Sequence, residues 1–330
     1  MLRTGRSPQE ELGLLGLPAN SFANVLPTFA PDGYQQIGPT ANANADFSTS
    51  VTQIIDTLSA IRGAHSLKVG TDIRLQRLDV LQSTNPTGLF RFTVPFTGVS
   101  AQPRSGNSMA SLLLGQTESY QVDVQTEFLL PHAQNFEFFL QDDWQATSHL
   151  TINLSLRYTL NAPSTEKDDR ASVFDLDTEQ LRFLGRDREP RTARELHWGN
   201  LGPRLGLAWR VDERTAVRPG YGLAWFEMAG ITTPFTTPFF PFIQTLGESS
   251  LDNATAAFRV EDGPSAEPAA TDSDAGLGQG VFAADCTRGS GYSQQWNLTV
   301  QRTLGSSTSF EIGYIGSKVT SLGVPDGNLN

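Results

Sequence analysis

The chain has 330 residues and a formal net charge of -11, with 38% hydrophobic residues and no run of 18 apolar residues. That length fits two ordinary domains or one large all-β unit. The charge argues against nucleic acid as a partner, whose footprint is a basic surface, and the lack of a long apolar run excludes a transmembrane helix. Only Lys68, Lys167 and Lys318 among the 24 basic residues are lysines, fewer than a soluble surface usually carries.

In chain order, residues 1–50 read as a loop-like segment. "MLRTGRSPQEELGLLGLP" holds two arginines but no apolar core of useful length, so it does not read as a signal peptide. Residues 51–62 are a strand candidate of mixed parity. From there period-2 alternation recurs. Residues 65–78 place Leu67, Val69, Ile73 and Leu75 on one parity, and 117–130 place Tyr120, Val122, Val124 and Phe128 there. Two adjacent runs follow, one with Phe136, Phe138, Leu140 and Trp144, the other with Leu150, Ile152, Leu154, Leu156, Tyr158 and Leu160. Residues 203–211, 215–226, 292–304 and 308–316 repeat the pattern. That gives nine strands, with "GLFRFTV" (88–94) as a tenth.

The connections fall into two classes. "RGAH" (62–65), "ATSH" (146–149), "DERT" (212–215) and "GSS" (305–307) are tight, whereas 79–116, 161–199 and 227–290 are long. In an antiparallel array, alternating short and long connections put turns at one end and loops at the other. Strand parity over 79–130 then requires either that 88–94 supply a further strand of the array or that 117–130 project beyond it; the first is favoured. The third long loop is rich in acids over 247–285, and "ITTPFTTPFFPFI" (231–243) is excluded from a central strand by its prolines.

A soluble β-sandwich also alternates, with its apolar face turned into a core. Three features favour a membrane barrel instead. Several runs sustain alternation for 10–13 residues, against about 5–6 in soluble strands and about 9–11 for a tilted bilayer crossing. The polar parity is Gly, Ala, Ser, Thr, Asn and Gln with interspersed arginines, which suits a barrel interior. Aromatics share the apolar parity: Trp144, Tyr158, Trp209, Tyr221, Trp225, Tyr292, Trp296 and Tyr314 are candidate membrane-interface residues. The expected fold is therefore an all-β, antiparallel, up-and-down transmembrane barrel over residues 51–319, with the long loops outside the cell and a loop-like tail at 320–330.

Six segments carry a family resemblance: "LSAIRGAHSLKVGTDIRL" (58–75), "ASLLLG" (110–115), "FLQDDWQATSHLTINLSLRY" (139–158), "GPRLGLAWRV" (202–211), "VRPGYGLAWF" (217–226) and "QQWNLTVQRTLGSSTSFEIGYIGSK" (294–318). In order and spacing they resemble the barrel of Oar-like TonB-dependent receptors, the carboxypeptidase-regulatory-like-domain-containing outer-membrane proteins. The resemblance implies a bacterial outer-membrane receptor that imports a ligand, here unidentified, on energy delivered by the TonB complex to a plug. Such barrels are 22-stranded, so the nine or ten strands read as an internal piece without the plug through which TonB would act. A passive porin- or adhesin-type barrel and a soluble all-β binding protein remain open.

No chemistry of an enzyme is expected. Asp142 and Asp143 are adjacent on a strand, so they point to opposite faces and cannot converge on one cleft. Asp142 falls on the lipid parity near a short turn, at headgroup level or at a bulge. "DSDAG" (272–276) departs from the calcium-loop pattern. Cys286 is single, and His65, His132, His149 and His197 match no metal motif, so neither a metal nor another cofactor is expected. Phe235, Phe239, Phe240 and Phe242 pack a loop onto the barrel mouth or contact ligand. The partners expected are outer-membrane lipid and the unidentified ligand.

An arginine on the lipid face at mid-membrane costs about 2–4 kcal/mol. Leu154→Arg is therefore expected to prevent stable insertion and Ser155→Arg to be tolerated; equal recovery of both in membrane fractions would refute the face assignment.

Overall fold

The computed structural model describes residues 11–17, 25–42, 45–81, 83–99, 105–125, 127–226, 240–268 and 289–322. In chain order its strands are β1 (Thr28–Pro31), β2 (Asp46–Arg62), β3 (His65–Leu81), β4 (Leu89–Phe92), β5 (Gln116–Thr117), β6 (Ser119–Gln125), β7 (Pro131–Thr147), β8 (Leu150–Glu166), β9 (Ser172–Asp175), β10 (Gln180–Phe183), β11 (Leu201–Arg210), β12 (Thr215–Trp225), β13 (Ile243–Ser249), β14 (Phe258–Arg259), β15 (Tyr292–Leu304) and β16 (Thr308–Thr320). A short helix, α1 (Ser108–Leu113), starts at Asn107, whose side chain accepts a hydrogen bond from the Met109 amide.

Eight strands form one antiparallel meander in the order β16-β15-β12-β11-β8-β7-β3-β2. Each adjacent pair in sequence, β2/β3, β7/β8, β11/β12 and β15/β16, is a hairpin closed by a tight turn. Gly63 and Gly305 supply positive φ (60° and 74°) in two of these turns. The array therefore has eight described strands, not nine or ten. The outer edges of β2 and β16 are unpaired, so the sheet is open among the described residues.

The missing strands are elsewhere. Residues 88–94 and 117–130, expected in the array, instead contribute β4 and β6 to a separate four-stranded sheet, β1-β4-β6-β13. Strand parity is satisfied without them, because the whole of 82–130 is one long connection from β3 to β7. The residues 1–50, expected as loop, also supply β1, which pairs in parallel with β4, and the first residues of β2. This second sheet gathers the first and third long connections into a cap with its own core of Phe90, Phe92, Tyr120, Val122, Val124 and Leu246. Phe90 packs on Tyr120 at 4.8 Å between centroids, and Phe258 meets both edge-on. Fully burying such a ring contributes roughly 1.5–3 kcal/mol, which short strands of four to seven residues need.

The meander is staggered. One hydrogen-bonded row runs Ala60, Leu67, Asp142, Leu154, Leu205, Tyr221, Trp296, Gly316. Its distance from the short-turn end of each strand grows from two residues at Leu67 (His65 end) to eight at Trp296 (Leu304 end). If the turns mark one plane, that stagger corresponds to a strand tilt of roughly 30–40°, close to the tilt of barrels.

The second connection folds on a buried carboxylate. Glu166, at the end of β8, is 2% exposed. It accepts hydrogen bonds from the amides of Leu130 (2.8 Å), Asp168 (2.7 Å) and Arg170 (2.8 Å). It so joins the start of β7 to the loop that leaves β8, where β9 and β10 pair over Ala171, Val173 and Leu184. Glu166→Ala strands these donors and is expected to destabilise the loop region by about 3 kcal/mol; Glu166→Gln, which keeps one acceptor, should cost less. Protease susceptibility of residues 167–200 in the membrane-inserted protein checks both, and wild-type resistance of the Ala variant would refute the role.

Candidate functional site

The two faces of the meander differ in chemistry because successive side chains alternate. On one, Phe138, Leu140, Leu154, Leu156, Leu205 and Leu298 stand exposed. On the other, polar side chains bond across the rungs. Asp72 accepts from Gln53 Nε2 (2.9 Å to each oxygen) and from Arg74 Nη2 (2.8 Å). Arg157 donates to Glu137 (2.7 Å), and its guanidinium lies 5.9 Å from the centre of the Phe139 ring. Asn153 and Gln141 donate to Asp143 (2.6 and 3.2 Å), while Asn135 links Gln76 to Asn161. Asp72, Glu137 and Asp143 each have a donor, which makes this stretch of the face a hydrogen-bonded polar wall.

Farther along, the same wall hollows into a depression of about 480 Å³, lined by Gln141, Asn153, Ser155, Arg204, Gln295 and Asn297 among others. Small residues make the hollow possible. Gly206, Gly220 and Gly222 are among its lining, and a Cβ at Gly220 would come within 2.5 Å of Asn297 Oδ1, so the Asn297 side chain lies across that glycine. Amides, hydroxyls and a guanidinium offer hydrogen bonds to a polar solute.

The acid pair is split as its strand position requires. Asp143 joins the polar wall, whereas Asp142 Oδ2 lies 2.7 Å from His65 Nδ1 on the apolar face. The His65 ring stacks on Trp144 at 5.4 Å and 9°. The candidate interface aromatics occupy several levels. Trp144 and Trp209 lie within three residues of the short turns. Trp225 closes β12 at the long-loop end, donates from Nε1 to the Leu201 carbonyl (2.8 Å), and packs on Tyr292 at 5.0 Å. Tyr221, Tyr314, Tyr158 and Trp296 lie between these levels, with the Trp296 indole across Gly316.

Of the other singled-out residues, Phe240 and Phe242 are in the cap. Ser172 donates to the Phe240 carbonyl, and Arg186 lies over the rings of both Phe183 (5.4 Å) and Phe242 (5.1 Å). These contacts tie the second long connection to the third. Phe235, Phe239, "DSDAG" (272–276) and Cys286 lie outside the described residues. Among the described residues, no group of three or more His, Cys, Asp or Glu side chains could hold a metal ion, and no helix is long and apolar enough to cross a membrane. Sequence reasoning missed that Phe242 and Ile243 pack on Leu78, Val80, Leu129 and Ala133. The signal was present: in "LQRLDVL" the apolar parity switches from Leu75 to Leu78 and Val80.

The third long connection also holds a self-capped turn. Asp252 accepts from the amides of Thr255 (2.7 Å) and Ala254 (2.9 Å), and the Thr255 hydroxyl bonds its second oxygen (3.0 Å). The Thr255 amide first, then that of Ala254, hold its carboxyl down at about 2. Since the folded value is lowered, the contribution of Asp252 is fully present above about pH 4, the unfolded range, and is lost as pH falls towards 2. Hydrogen exchange at Ala254 and Thr255 should accelerate, relative to the intrinsic rate, across that window in the wild type and show no such step in Asp252→Ala.

The sequence profile of the family described as "Outer membrane beta barrel domain" matches residues 2–330. None of the curated proteins compared with the chain matches it. Among solved structures, the chain is similar to one described as "CymD monoaromatic hydrocarbon channel", with 10% identity, 84% of this chain and 74% of that chain covered, and a TM-score of 0.22, too low to carry a shared arrangement.

Proposed function

The chain belongs to the outer membrane beta barrel domain family and has its place in the bacterial outer membrane, and on that premise we propose that it forms wall and outer cap of a TonB-dependent receptor that imports an unidentified ligand. The observation that carries this reading is the open meander. Among the described residues the eight staggered strands leave both edges unpaired, whereas a closed eight-stranded barrel is just filled by its own side chains. In hydrocarbon those edges need partner strands, so the working barrel is wider and its lumen must be plugged or open. The resemblance of the six segments favours the plugged form, with the TonB complex acting through the plug. The apolar face then meets lipid and the polar wall meets the plug or passing solute. The chemistry of the wall is that of binding and passage rather than of bond-making.

Two measurements on the full-length gene product in planar lipid bilayers and in solution test this. A TonB-dependent receptor is expected to conduct no steady current until urea loosens its plug, and to bind the periplasmic domain of TonB. A steady open conductance without urea, together with no TonB binding, would overturn the proposal in favour of a passive porin.

A further inference from the structure

At the long-loop end burial along the wall falls mostly on one side, although Leu81, the last residue of β3, is buried on the other parity (6%). On β3, Leu78 and Val80 are 2% and 0% exposed, while Arg77 between their level and the membrane is exposed. Both buried residues lie on the parity of Asp72, Arg74 and Gln76, which is the polar, lumen-facing parity. The pairing of Gln76 with Ala133 continues without a shift to the Val80–Leu129 bridge, so the parity is not reversed by a bulge. On β7, Pro131, Ala133 and Asn135 are buried and the intervening Gln134 is exposed. Thr159 on β8 (4%) and Ser293 on β15 (6%) extend the same rim, again on the lumen parity.

What covers part of this rim is identified. Leu78, Val80, Leu129 and Ala133 form one apolar cluster, and the side chains packed on it are Phe242 and Ile243, where the third long connection enters β13. Water would otherwise wet this part of the wall, and the polar lumen parity changes to apolar where the loop lands. From that seat β13 runs outward along β6, with Ile243 opposite Gln125 and Ser249 opposite Ser119. The Gln125 side chain donates to the Val80 carbonyl (2.9 Å), which pins the near end of β6 to the same wall.

We infer that residues Phe242–Ser249 are a strap folded inward over the mouth of the lumen, seated on an apolar patch of the inner wall, and that this seat determines how solutes reach the lumen from outside. The strap is braced from three sides: β6 from the first connection, the Phe183–Arg186 pair from the second, and the wall itself. The inference rests on the assignment of the polar face to the lumen, and not on coupling to TonB.

The test uses the full-length protein in intact cells, with Cys286 replaced by Ser and single cysteines read by a membrane-impermeant maleimide. Ala133→Cys in the seat itself is expected to label about tenfold or more slowly than Trp198→Cys on an exposed loop, as a protected site that reacts only on local opening. Adding Phe242→Ala with Ile243→Ser should bring Ala133→Cys to within about threefold of the Trp198→Cys rate. Heat-modifiable migration of the barrel on gels confirms that each variant is folded and inserted; a seat variant that loses it is replaced by Val80→Ser, which weakens the same seat from the wall. Rapid labelling of Ala133→Cys in the otherwise unaltered protein overturns the inference, and so does protection that folded seat variants leave unchanged. Because labelling needs no energy coupling, a failure here leaves the transport reading standing, and loss of TonB binding leaves this one standing.

Discussion

A peptide group in hydrocarbon has no partner except another peptide group. The arrangement of this chain follows from that constraint. It forces the membrane-crossing segments into hydrogen-bonded ladders, and the ladders fix which side chains share a face. A strand that keeps every N–H and C=O paired to neighbours on both sides can vary its side chains freely as long as parity is respected. Hence Leu140 and Leu156 can face one solvent while Gln141 and Ser155, one residue away on the same two strands, face another. The stagger of the ladder supplies tilt, and the tilt supplies curvature.

The same constraint explains how much could be read from the sequence. Seven of the eight array strands were legible because each sustains alternation long enough to cross a bilayer, and their turns because glycine and polar residues interrupt it at "RGAH" and "GSS"; β2, of mixed parity, was the weaker candidate. The cap strands were misplaced for a physical reason. Tyr120, Val122 and Val124 alternate as the barrel strands do, but their apolar side meets Phe90 and Leu246 rather than lipid. Period-2 alternation reports one apolar face; it does not report the medium that covers it. Strand β13 begins at Ile243, the last residue of a proline-rich run that was excluded from a central strand, and β1 has only four residues, too few for a pattern.

The polar site was partly legible. Adjacent acids on a strand must diverge, and Asp142 and Asp143 do. The partners of each acid were not legible, since His65 and Asn153 are brought to them by register, a property of paired strands rather than of one. Glu166 left no local mark at all: it is one carboxylate in "STEKDDR", and only the return of the chain at Leu130 gives it a task.

The chain thus contains two kinds of core in two solvents, and they answer to different forces. The cap core around Phe90 is held by the expulsion of water, so its stability should fall in urea and bend with temperature as hydrophobic burial does. The meander faces lipid tails as apolar as its own leucines, so water expulsion does not hold its strands to one another once they are inserted. Denaturation of such a molecule need not be a single cooperative event. Chaotrope reaching only the outer surface would dissolve the roof while the walls stand, leaving a barrel with its mouth uncovered as a distinct thermodynamic state.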